Sequence, residues 1–177
     1  MADFDYTGRH AYHLVVVTSA REPVLVGDLA AQTVADLERA AGATQFELLA
    51  YVVMPDHVHV LALGVSDEAL ATGFVQRFKQ FSGYRFKQRA GRQLWQWSFF
   101  DHTLRREEDL LAVARYVVGN PVRAGLTRLE DEWPHQGGVL IGGAEAGTNA
   151  RQPSGAEAPS LQPPPTPRTP TKVTHHD

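Results

Sequence analysis

Two histidines one residue apart, His57 and His59, stand in the run Met54-Pro55-Asp56-His57-Val58-His59-Val60. On a β-strand, residues i and i+2 project to the same face, so the pair points one way while Val58 and Val60 face the opposite layer. Two imidazoles so placed can chelate one divalent metal ion. The plain alternative is a pair of sheet-surface histidines with no ligand. On an otherwise wholly apolar strand that begins directly after a Pro-Asp turn, however, two polar side chains on one face require partners. A second pair, Tyr116 and Asn120, lies in Arg115-Tyr116-Val117-Val118-Gly119-Asn120-Pro121 at the spacing of one helical face. A tyrosine alone there is ordinarily core or a half-buried amphipath. With Asn120 one turn away, an amide oxygen becomes available as a third, hard ligand to the same ion. Oxygen and imidazole together suit Mg²⁺ or Mn²⁺ better than a closed zinc site. The phenol oxygen would then stand beside a metal able to polarise a phosphate.

These side chains need a scaffold, and the hydropathy pattern supplies one. His10 to Val17 reads as a strand with a buried β-branched run. Leu29, Val34, Leu37 and Ala41 fall near helical spacing, with Asp28 placed to cap that helix. Phe46 to Met54 and Val58 to Leu63 are apolar runs separated only by a short polar break, which implies a hairpin and antiparallel pairing. Phe74, Phe78 and Phe81 mark one face of a second helix whose other face carries Arg77 and Lys79. Leu94 to Leu104 is aromatic-rich and fits a fourth strand, broken near Ser98. Glu107, Glu108 and Asp109 suit the positive end of a third helix with the stripe Leu110, Val113, Ala114 and Val117, which should stop at Asn120-Pro121. The order is β-α-β-β-α-β followed by a helix. That is an α+β, ferredoxin-like core: an antiparallel sheet with helices on one face and a C-terminal helix bearing Tyr116.

The chain of 177 residues is long enough for one domain with a real core, and no stretch approaches the roughly 20 apolar residues needed to span a bilayer. With no cysteine, disulfides, thiolate metal sites and cysteine nucleophiles are excluded together. No signal-peptide pattern opens the chain, so a cytoplasmic protein is expected. The net charge of -3 hides a split: residues 77–128 hold eleven bases against four acids, whereas residues 1–76 hold three bases against ten acids. Such asymmetry suggests a polyanion-facing side, with a solvated arginine-rich helix face as the plainer reading. Residues 1–141 are expected to form the domain, and the Gly/Ala/Pro-rich residues 142–177 a disordered tail.

At its two motifs the sequence resembles the IS200-like tyrosine transposases, and more closely their REP-associated branch. YVVMPDHVHVLAL is similar to their His-hydrophobe-His strand, and WQWSFFDHTLRREEDLLAVARYVVGNPVRAGL to their aromatic block, tyrosine helix and Asn-Pro-Val-x-x-Gly-Leu ending. YHLVVVT and FELLAYVVMP fit the early strands, so the resemblance covers roughly residues 8 to 135. It implies an HUH nuclease fold, metal ligation by His57, His59 and Asn120, Mg²⁺ or Mn²⁺ as cofactor, and Tyr116 as nucleophile. The implied activity is cleavage and strand transfer on single-stranded hairpin DNA through a 5′-phosphotyrosine. Trp95, Phe99 and Phe100 are candidates to stack on bases, with core packing as the alternative. Arg77, Lys79, Arg85, Lys87 and Arg123 are candidates to contact phosphates, and His102 to act as a base. Asn120, where insertion-sequence relatives carry Gln, favours the REP-associated branch, which implies a monomer rather than the shared-site homodimer. Two competing readings are a domesticated binder of hairpin DNA that does not cut, and a His-x-His metal hydrolase that uses water. An RNA-binding module of this fold would be expected to show exposed aromatics on its central strands, where VHVLAL and ELLAYVV carry chiefly aliphatics.

Overall fold

The alternation expected of the histidine strand is present in β3 (His57–Gly64), whose residues alternate between two separate apolar clusters. Val58, Val60 and Ala62 enter one cluster and Leu61 the other, with Leu63 packed against it. The computed structural model describes residues 10–104, 110–129 and 132–141, all within one compact unit. Residues 142–177, where the tail is expected, and Glu107, Glu108 and Asp109 lie outside the described residues.

The sheet has the order β4-β1-β3-β2-β5, with β1 (Ala11–Val17), β2 (Phe46–Val53), β4 (Phe100–Thr103) and β5 (Gln136–Gly137). All pairings are antiparallel, and the first four strands reproduce the ferredoxin-like order. β2 and β3 form the expected hairpin about Pro55-Asp56, closed by the Met54 N–H on the His57 carbonyl at 2.8 Å. The turn is anchored from outside: Thr18, wholly buried, donates through both its backbone N–H and its hydroxyl to the Asp56 carbonyl at 2.9 Å. A β-bulge at Leu49 shifts the parity of β2, so Phe46 and Leu48 share a layer with Tyr51 and Val53.

Helices α1 (Gly27–Ala43) and α2 (Ala71–Ala90) pack on each other and cover the Val58/Val60 face. Phe74 and Phe78 are fully buried and Phe81 partly so, as the spacing implies. Asp28 is not the cap of α1: Val26 occupies that position without a side-chain bond, and Asp28 sits in the first turn, where a carboxylate still favours the dipole. The aromatic segment breaks as expected, with Trp95 bridging to Thr18 before the chain enters β4.

Helix α3 (Leu110–Val118) lies on the opposite, histidine-bearing face against β2 and β3, burying Ala114 and Val117. It does end before Pro121, but a further turn, α4 (Asn120–Arg123), follows at once with the proline in its first turn, where a missing N–H is tolerated. Beyond it, Trp133 donates to the Val53 carbonyl at 3.0 Å, and residues 135–140 run along β2. Gly138 adopts a φ of +123°, and a Cβ there would meet the Leu49 carbonyl oxygen at 2.5 Å. Only glycine allows that close approach.

Candidate active site

The register of the three central strands brings together side chains that are far apart in sequence. β1 pairs with β3 so that Val15 faces His59 and Val17 faces His57. His13, two residues before Val15, therefore lies on the same face. Its Nε2 is 3.2 Å from Nδ1 of His59, and the two rings stack with centroids 5.4 Å apart. His57 and His59 turn their Nε2 atoms toward each other at 3.1 Å. The far nitrogen of His57 is held too, with Nδ1 at 2.6 Å from Asp56 Oδ1.

The geometry suits a divalent ion. Two nitrogens at about 2.1 Å from a metal, in a right-angled arrangement, stand about 3.0 Å apart. Each ligand candidate also has a partner on its second nitrogen, the arrangement that orients metal-binding imidazoles. Burial, reinforced by His57, His13 and Arg123, holds His59 well below its ordinary pKa. Burial and then His102 bring His13 down to about 4. Both rings are therefore neutral near pH 7, the form of imidazole that ligates metals. Among the described residues no group of three or more His, Asp or Glu converges as a cage. The two histidine Nε2 atoms are the nitrogens that could hold a metal ion here.

Tyr116 reaches this cluster from α3. Its ring meets His13 edge-on with centroids 5.9 Å apart, and His59 at 6.3 Å. Arg123, on α4, lays its guanidinium 4.2 Å from the centre of the Tyr116 ring and donates to the Tyr116 carbonyl. Asn120 has its amide turned back onto the helix: Nδ2 donates to the carbonyls of Tyr116 and Val117, each at 3.0 Å. These bonds use only the nitrogen end of the amide. The Val117 carbonyl is the one that position 121 would ordinarily satisfy, and Pro121 has no N–H to give.

The four basic residues of α2 stand elsewhere. α2 covers the other face of the sheet, so Arg77, Lys79, Arg85 and Lys87 are separated from the histidines by the sheet itself. Lys79 is a structural clamp, donating to the carbonyls of Gln96, Trp97 and Ser98 at 2.7, 3.1 and 3.0 Å. Those three bonds use every N–H its ammonium has. Arg85 pairs with the buried Asp36 of α1, and Arg77 bonds Gln80 on its own helix. Of the five basic candidates, Arg123 alone is beside the histidines and the tyrosine. Of the aromatic candidates, Trp95 is core, 6% exposed and donating to the Ser82 hydroxyl at 2.8 Å. Phe99 packs against the helix-side cluster. Phe100 is exposed and opposite Val15, hence on the histidine face. Trp97, to which the sequence attaches no role, is 86% exposed. His102 pairs with His13 across β1 and β4.

His13 and the partner role of Asp56 were not read from the sequence. Periodicity relates residues within a strand, whereas His13 joins the group only through the β1–β3 register. A signal did exist: His13, like His57 and His59, is a polar residue in an otherwise apolar strand.

The model of the IS200-like transposases matches residues 6–120, a span that includes every histidine of the cluster, Tyr116 and Asn120. The chain belongs to the IS200-like transposase family. Within it, a protein of Haemophilus influenzae, provisionally described as a REP-associated tyrosine transposase, is 27% identical over 143 residues, covering 74% of this chain and 81% of that one. The REP-associated tyrosine transposase of Escherichia coli is 30% identical over 91 residues, about half of each chain. A solved REP-associated tyrosine transposase bound to a REP hairpin superposes with a TM-score of 0.62 at 21% identity, covering 77% of this chain and 82% of that one. That likeness establishes the family fold for the sheet and helices described above. No helix among the described residues is long and apolar enough to cross a membrane.

Proposed function

We propose that this transposase cuts and rejoins single-stranded hairpin DNA, using a divalent metal and a covalent intermediate on Tyr116. The observation that carries the reading is the edge-on approach of Tyr116 to His59, whose Nε2 is 3.1 Å from that of His57. Hairpin DNA as partner is supported by the relative solved with a REP hairpin. Mg²⁺ or Mn²⁺ is the proposed ion between His57 and His59, with the oxygen end of Asn120 as the proposed third ligand.

When bound, the metal supplies electrophilic polarisation of the scissile phosphate. The chain's own residues do the rest. His57 and His59 fix where the phosphate sits. Tyr116 presents its phenol oxygen for in-line attack, so that a Tyr116 O–P bond forms as the P–O3′ bond breaks. The phenol proton leaves Tyr116 and the 3′ oxygen departs as a hydroxyl, leaving a 5′-phosphotyrosine. A phosphodiester is exchanged for a phosphodiester, so rejoining needs no external energy source. Arg123 lies where its charge can meet a phosphate oxygen. Phe100 offers an exposed ring for base stacking on the same face. A monomer is the proposed state, supported by Tyr116 of the chain's own α3 lying against His59.

The test is incubation with single-stranded hairpin oligonucleotides taken from repeats near the gene, with Mn²⁺, Mg²⁺ or EDTA, resolved on a denaturing gel without proteolysis. A metal-dependent protein–DNA adduct is expected, together with a free 3′-hydroxyl product. Hairpin binding without cleavage in either metal would replace this reading with a non-cutting binder.

A further inference from the structure

One half-buried side chain at the site, His13, has no part in the chemistry described above. His13 belongs to β1, which is paired on both sides, by β3 and by β4, so its backbone cannot drift. We propose that His13 is a positioning residue, whose Nε2 accepts the Nδ1–H of His59 and whose ring seats Tyr116 at the metal. This inference rests on the metal reading.

The donor and acceptor roles follow from metal ligation. With a metal bound, Nε2 of His57 and Nε2 of His59 must both carry lone pairs, so both Nδ1 atoms carry hydrogen. His57 Nδ1 then donates to Asp56 Oδ1 at 2.6 Å. His59 Nδ1 has His13 Nε2 at 3.2 Å. His13 Nε2 is the ring nitrogen nearest that hydrogen and is the acceptor proposed for it. The two ligands are thus oriented differently, one by a carboxylate from its own turn and one by a ring from the neighbouring strand. The same ring meets Tyr116 edge-on, with an interplanar angle of 83°. One side chain therefore couples the direction of a metal ligand to the placement of the nucleophile.

The experiment measures Mn²⁺ affinity of the full-length protein by electron paramagnetic resonance, for wild type, His13→Ala, His13→Gln, His59→Ala and Tyr116→Phe. Loss of such an outer partner typically weakens metal binding about 10–100-fold, which is the effect expected of His13→Ala. His13→Gln, which places an amide oxygen near the Nε2 position, should recover most of that loss. Excess Mn²⁺ should restore adduct formation to His13→Ala only in part, because the ring that seats Tyr116 is still missing, and not at all to Tyr116→Phe. Full restoration in His13→Ala would overturn the seating of Tyr116 by His13. Wild-type Mn²⁺ affinity in His13→Ala, alongside a clear loss in His59→Ala, would overturn the role of His13 and leave the metal reading standing. Unchanged affinity in His59→Ala would remove the metal reading and this proposal together. A readout on the wild type alone guards against misfolded variants. ¹⁵N-histidine spectra of the Mg²⁺-loaded protein should show His59 as the Nδ1–H tautomer, and the Nε2–H tautomer would contradict the proposal.

Discussion

Asn120 occupies the position where a structural and a chemical role meet in one amide. Its nitrogen end replaces the N–H that Pro121 withholds from the Val117 carbonyl, and it also satisfies Tyr116. Its oxygen end is the proposed ligand. The two roles separate in Asn120→Asp, which keeps an oxygen and loses both donors. We expect Asn120→Asp to lower stability by about 1–3 kcal/mol in urea unfolding while Mn²⁺ affinity is retained or raised. Asn120→Ala should lose both, and unchanged Mn²⁺ affinity in Asn120→Ala would remove it from the ligand set. At this scale the sequence was informative where spacing alone decides geometry. His57 and His59 share a face because a strand has a period of two, whereas Tyr116 and Asn120 meet across Gly119, where α3 gives way to α4. Which way the Asn120 amide turns depends on the orphan carbonyl left by Pro121. That is a question of hydrogen-bond accounting, which no periodicity contains.

The elements explain why the bases of α2 do not all serve one end. α2 carries bases at regular intervals, yet two of them hold the fold together. Arg85 neutralises Asp36, which is 2% exposed between the two helices, and Lys79 gathers the three carbonyls that lead into β4. Lys79→Met should therefore behave as a stability variant. It should lose roughly 1–2 kcal/mol in urea unfolding, with hairpin affinity and adduct formation close to wild type while folded. A loss of hairpin affinity at unchanged stability would return Lys79 to the phosphate contacts. Arg123→Ala should do the reverse, weakening hairpin binding and flattening its salt dependence by about one counterion in a filter-binding series. The succession of strands and helices was legible because each apolar run had a clear period and clear punctuation. The Leu49 bulge was not, since FELLAYVV is apolar on both sides of the parity shift and gives no sign of where it falls. Trp95 was ambiguous for a related reason: aromatic residues suit both a core and a stacking surface, and its burial depends on Ser82 lying opposite.

For the molecule as a whole, the sheet divides labour. The helix-covered face supplies the larger apolar cluster, and the other face concentrates buried, neutral imidazoles beneath α3. That arrangement makes the metal-free protein sensitive to acid. His13 and His59 are neutral in the fold but would protonate near pH 6.5 once unfolded, so between about pH 6.5 and 4 the unfolded chain binds more protons. Stability should fall as pH drops through that window, by about 3 kcal/mol from His13 alone on the scale of its shift to about 4. Urea midpoints measured from pH 7.5 to 4.5 in EDTA would show the decline, and His13→Gln should make it shallower. A midpoint that rises on acidification would contradict the buried neutral cluster. The central claim, however, is that one phenol oxygen carries the DNA. Wild-type protein should be reacted with a hairpin oligonucleotide and Mn²⁺, digested with nuclease and trypsin, and read by mass spectrometry. The account predicts a nucleotide remnant on the peptide spanning residues 116–123, localised to Tyr116, and no remnant from Tyr116→Phe. Cleaved DNA with that peptide unmodified, or with the remnant on another residue, would contradict it.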